Sequence, residues 1–205
     1  MFGFIKKAKK EPEINSVENP HKETDLTLHR AEAVYERLVY DSTIEQLEII
    51  VNTLEEPYIL TMEELKYMLS ICDDDLRKGC ILYGMASCCY AGNRGVEQSL
   101  KQALKYDEQA SAFNYPPAAL RYGVKLLGSV EDDYVAGTID DGSLQLSQGL
   151  AVGEMVKSYN LGFKEKAQQV LEMVVDGYGG EFFGCHTVEE LIDRFSEYQS
   201  FNGKK

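Results

Sequence analysis

The residues of this chain best suited to chemistry are five cysteines, three histidines and several short runs of acid. Cys88 and Cys89 are neighbours, and so are Cys185 and His186. A zinc site takes paired ligands at spacings such as C-x₂-C and H-x₃-H, and adjacent residues do not easily close on one ion. Nucleophilic catalysis needs a base aligned with the thiol, and sequence neighbours rarely align that way. No metal, cofactor or catalytic residue is therefore expected. The opposing reading is an enzyme or metal-dependent protein that uses Cys185, His186 and an acidic segment.

That segment is residues 129–142, with Glu131, Asp132, Asp133, Asp140 and Asp141. An EF-hand loop takes acids at its first, third and fifth positions and glycine at its sixth. With Gly137 as the sixth, Asp132 fits the first, but Tyr134 and Ala136 fall at the third and fifth. The segment is expected to be a long acidic loop. The triplet Asp73-Asp74-Asp75 suits a helix start, where acid meets the positive end of the helix dipole. Gly92-Asn93-Arg94-Gly95 is too short for a phosphate loop, and Gly177-Tyr178-Gly179-Gly180 follows no strand; both read as helix ends.

Thirteen tyrosines and no tryptophan leave tyrosine as the chain's main aromatic residue. Formal charge is −13. Nonspecific nucleic-acid binding needs Lys and Arg to neutralise phosphates, so the charge argues against that class and no nucleic-acid partner is expected. A basic protein partner is compatible. An odd number of cysteines without regular spacing argues for free thiols and a cytoplasmic protein. The start, MFGFIKKAKK, lacks the apolar core of a signal peptide, and no apolar run reaches membrane-span length. No membrane association is expected.

Positioning these residues falls to helices. Residues 1–24 read as a tail, and 25–205 as one helical domain. Asp25 opens a first helix to about Tyr40. Thr43 precedes a second, with Ile44, Leu47, Ile50, Val51 and Leu54, which Glu56-Pro57 stops. Thr61 and Glu64 have capping-box spacing before Met62, Leu65, Met68, Leu69 and Cys72. Further helices follow at about 76–91, 99–113, 116–127, 144–159, 164–175 and from Thr187 to near Phe201. Small residues fall where helices would touch: Ala86, Ser87, Ala103, Ala110, Ala118 and Gly123.

Tyr90, Gly95 and Val96, followed by Ala103, Leu104, Tyr106 and Ala110, resemble a Sel1-like repeat. Ala118, Tyr122 and Gly123 open the next unit, so that Leu82 and Ala118 share a repeat position 36 residues apart. Units fall at about 82–117 and 118–162, with a partial one at 163–180. In the second unit about a dozen extra residues replace the compact glycine turn. The resemblance implies an all-α fold, a short α-solenoid of antiparallel helix pairs. It also implies a groove lined by the first helix of each unit, which places Tyr83, Tyr90, Asn93, Arg94 and Tyr122 toward a partner.

The function expected is a non-catalytic protein–protein interaction module, with Asp132, Asp133, Asp140 and Asp141 as further partner-binding residues. A narrower form is a bacterial immunity protein that neutralises a basic toxin.

Overall fold

The computed structural model describes residues 32–53 and 59–202. The expected tail, the helix start at Asp25 and the stop at Pro57 lie outside them. The chain divides into Met1–Val34, of which only helical residues 32–34 are described, and Tyr35–Lys205, which holds everything else discussed below.

The described residues are all-α, with no strand among them. Helix α1 covers 32–40. It is followed by α2 (Ile44–Asn52), α3 (Met62–Ile71), α4 (Asp75–Ala91), α5 (Leu100–Ala112), α6 (Pro116–Val135), α7 (Asp141–Asn160), α8 (Lys164–Val174) and α9 (Val188–Asn202). The expected caps are in place. Thr43 with Gln46 and Thr61 with Glu64 form capping boxes, so the first free N–H groups of α2 and α3 find side-chain acceptors. Asp74 caps α4 from inside the acidic triplet, and Ser99 caps α5. Pro116 and Pro117 occupy the first turn of α6, where a missing N–H costs nothing.

Helices pack on those nearby in the chain, one or two α-helices away. α2 and α3 lie on α4, α4 on α5, α5 on α6, α6 on α7, and α7 on α8 and α9. The apolar interior is accordingly split. One cluster runs from Val39 to Ala118 and the other from Leu120 to Leu191. The small residues sit at the closest approaches, as the sequence suggests. Ala86, Ala103, Ala110 and Ala118 are fully buried. A methyl group on Gly84 would meet Val51 Cβ at 2.8 Å, and one on Gly123 would meet the Ala151 carbonyl at 2.5 Å. Side chains with no room for one carbon fix both spacing and register.

Two expectations are corrected. The long acidic loop is mostly helix: α6 continues to Val135, α7 starts at Asp141, and 136–140 alone connect them. Gly137, at φ 70°, sits just past the end of α6. Its N–H donates to Tyr134 O (2.9 Å) and that of Thr138 to Asp133 O (2.9 Å), a Schellman turn that closes the helix. Asp140 then caps α7 by accepting from Ser143 N. The extra residues thus lengthen two helices instead of forming a loop. The second correction concerns Gly177, Gly179 and Gly180, which do not end α8. The chain passes into a π-helical segment, Val175–Phe183, before turning at Gly184 (φ 57°).

Candidate binding surface

Tyr83, Ser87 and Tyr90 follow one another along one face of α4, at intervals of four and three residues. Asp107 from α5 and Arg121 from α6 complete the cluster. Asp107 is fully buried. Arg121 Nε donates to Asp107 Oδ2 (2.9 Å) and Nη2 to Asp107 Oδ1 (2.6 Å), a bidentate fork. Nη1 donates to Ser87 Oγ (2.7 Å) and Nη2 also to the Tyr83 carbonyl (2.7 Å). The Tyr90 hydroxyl donates to Asp107 Oδ2 (2.9 Å), and Ser87 Oγ reaches Asn52 Oδ1 of α2 (2.9 Å). The guanidinium lies 3.5 Å from the Tyr83 ring centroid.

Burial raises the Asp107 carboxyl above its ordinary range, against the pull of Arg121 and Tyr90. Burial likewise raises the phenols of Tyr83 and Tyr90. The Arg121 donors point inward at protein acceptors, so this cage holds α2, α4, α5 and α6 in register. Two of the expected groove tyrosines therefore serve as its walls. Asp107 and Arg121 escaped the sequence reading. The available signal was an acid on the buried stripe Ala103–Asp107–Ala110, which needs a cation to be tolerated there.

Asn93 and Arg94 occupy the α4–α5 turn. Arg94 has φ 56°, and its Nη1 donates to Val51 O (2.6 Å) while Nη2 donates to Thr53 O. Its own carbonyl accepts from Met62 N (3.1 Å). One residue thereby joins the end of α2 to the start of α3. Gly92 and Gly95 take positive φ (65° and 84°) to make the turn that ends α4.

Tyr122 lies elsewhere, in an open cleft of about 460 Å³ between α5 and α6. Leu100, Leu104 and Leu126 line it with Lys101 and Lys105. Burial, then the charges of Glu108 and Glu154, raise the Tyr122 phenol. The five residues assigned to one groove thus divide among a cage, a turn and a cleft.

The acids gather around the α6–α7 connection. Asp132 and Asp133 are exposed near the end of α6. Asp140 is the cap of α7, and the Ser143 N–H it accepts (2.7 Å) holds its carboxyl below the ordinary range. Asp141 accepts from the Tyr134 hydroxyl (2.8 Å), and Glu131 from that of Tyr178. Residues 126–156 contain six acids and no Lys, Arg or His. Five of these acids lie at or beside the connection and make it acidic, whereas the sixth, Glu154, sits farther along α7 and pairs with Lys157 (3.9 Å).

Cys185 and His186 do not converge. The thiol is buried, 3.4 Å from the Phe183 carbonyl, and His186 is exposed with its backbone N–H donating to Glu190 (2.7 Å). Among the described residues no group of three His, Cys, Asp or Glu side chains is placed to hold a metal ion. None of the described helices is long and apolar enough to cross a membrane.

No family model, curated protein or solved structure matches the chain. The resemblance to Sel1-like repeats rests on the quoted residues alone.

Proposed function

We propose that this chain is a non-catalytic protein-binding module, a short solenoid of Sel1-like helix pairs that engages a basic protein partner. Ser87 and Gly123, 36 residues apart, hold the small position of successive units in this reading. Ala103 and Ala151, 48 apart, do so in the second helices, and the difference matches the dozen residues that lengthen α6 and α7. Five free, buried thiols suit a reducing compartment such as the cytoplasm.

The observation that carries the reading is the gathering of Asp132, Asp133, Asp140 and Asp141, all exposed, at the α6–α7 connection. Opposite fields raise association rates and select partners of the other sign. Asp132 and Asp133 are exposed and cap nothing, so they are free to meet such a partner. The test is co-purification from cells at low salt, comparing wild type with Asp132→Asn/Asp133→Asn. Partners bound through this surface are expected to be basic, to elute as salt rises, and to be depleted from the variant. The same partners at the same yield on both proteins would sink the reading. A narrower form is neutralisation of a basic toxin, which the acid surplus favours. Co-expression with a basic toxin encoded beside this chain is then expected to restore growth, and failure to do so would retire that form.

A further inference from the structure

The outer face of α7 is the least explained surface of the molecule. Leu144, Gln148, Ala151, Val152 and Met155 are buried. On the opposite side of the helix, Leu146 and Leu150 are 69% and 59% exposed, one turn apart. Gly149 lies between them, and a methyl group built on it would meet nothing within 4 Å. Residues 142–153 carry no charge at all. Exposed helix faces are normally charged, and isolated surface leucines are common, but an uncharged face with paired leucines is not solvated well.

The chain itself covers part of this side. Near Gly153, three residues beyond Leu150, the Phe195 ring of α9 lies 3.8 Å from a would-be methyl. Asn160 Nδ2 donates to Ser196 Oγ of the same helix (3.0 Å). Toward its other end α7 reaches Asp141 and Asp140, with Asp132 and Asp133 across the connection. The uncovered turns therefore lie between a helix already seated and a cluster of acids.

We propose that this face binds an α-helix of the partner, one with an apolar stripe over Leu146 and Leu150 and Lys or Arg toward the α6–α7 connection. The inference rests on the protein-binding reading above and adds the form and placement of the partner. A helix fits because α9 already uses the adjacent part of this side. The open space at Gly149 also lets a second backbone approach closely. The partner's charge follows from the acids and from the absence of any base in residues 126–156. Three turns of contact would need roughly 11–14 residues of partner helix.

The probes are three synthetic peptides of about 18 residues: a Leu/Lys amphipathic helix, a scramble of the same composition, and a Leu/Glu amphipathic helix. Fluorescence anisotropy against the full chain reads binding. The Leu/Lys helix is expected to bind at least about tenfold more tightly than either control. Leu146→Gln/Leu150→Gln should lose at least about tenfold for that peptide. Gly149→Gln should weaken it too, by placing bulk where the helix approaches. All three positions are exposed or open, and circular dichroism checks that the helices persist. Equal binding of helix and scramble, or no loss in Leu146→Gln/Leu150→Gln, overturns the helix inference. If Asp132→Asn/Asp133→Asn still depletes basic partners from cells in that case, the broader reading stands. If it does not, both fall.

Discussion

Asp107 in α5 and Met155 in α7 occupy matching places. Each lies four residues after a buried alanine, Ala103 or Ala151, and three before another small buried residue, Ala110 or Ser158. One place holds a carboxylate tied to two other side chains, and the other a thioether. Asp107 is acceptable only because Arg121 and Tyr90 arrive from two different helices with hydrogen-bond geometry. Met155 needs only the space above Gly123. A polar lock of this kind specifies which helices meet and at what register; the apolar contact specifies distance. The outer faces differ in the reverse sense. Lys101 and Lys105 keep α5 in water, whereas Gly149 and Gly153 stand 48 residues later in α7. The core shared by α4, α5 and α6 thus holds an ion pair beneath a charged outer face of α5, whereas α7 meets Gly123 with a thioether and carries no charge over residues 142–153.

The sharpest way to break this comparison is to remove one half of the lock. Arg121→Met leaves Asp107 buried without its cation. We expect a loss of about 3–5 kcal/mol in stability by urea unfolding, the usual cost of orphaning a buried charge. Replacing both members, Asp107→Met with Arg121→Met, makes this site resemble the one at Met155. The double variant should recover at least about 1 kcal/mol over Arg121→Met alone, because no unpaired charge remains. A single variant within about 1 kcal/mol of wild type would show that the cage is not a lock at all.

Glycines give the next test, and its sign changes along one helix. Gly123→Ala drives a methyl into the Ala151 carbonyl and Met155 Cγ, at 2.5 and 2.8 Å. It should cost about 1–3 kcal/mol, since α6 and α7 must separate. Gly128→Ala, five residues on in the same helix, meets nothing within 4 Å. It should stabilise by about 0.5–1 kcal/mol through helix propensity. Thermal melts of the two variants, run side by side, decide the matter. Shifts in the same direction would mean that the α6–α7 spacing is not set at Gly123.

The sequence reading and the structure agree where a local rule has a local answer. Thr61-x-x-Glu64, the helix start at Asp73-Asp74-Asp75 and the small residues Ala86, Ala103, Ala110 and Ala118 are visible one at a time and are where they should be. The cage was not visible, because the helices α2, α4, α5 and α6 each contribute to it, Asp107 and Arg121 stand 14 residues apart and farther still from the α4 members, and each is ordinary alone. Repeat position assigns Arg94 to a groove, but its guanidinium holds the end of α2 by the Val51 and Thr53 carbonyls; sequence shows that a donor exists but not what it reaches. The acidic run differs from expectation because a dozen residues in place of a compact glycine turn suggest a loop, although Gly137 has the marks of a helix end and Asp140, three residues before Ser143, those of a helix start.

Asp140 offers the smallest and most specific test of that correction. Its carboxyl is held below the ordinary aspartate range by the Ser143 backbone N–H it accepts. In the unfolded chain it returns to about 3.9. Folding therefore favours the ionised form. The contribution is complete above the unfolded value and disappears as pH falls through the lower folded value. Asp140→Asn preserves a capping side chain but removes the titration. The melting temperature of wild type minus that of the variant should be constant from pH 7 to about 5 and then fall toward pH 2. Other carboxylates titrate in the same range, but they cancel in this difference. A flat difference would mean that Asp140 does not hold the start of α7. The lengthened α6–α7 hairpin, which separates the second pair from the first, would then need another explanation.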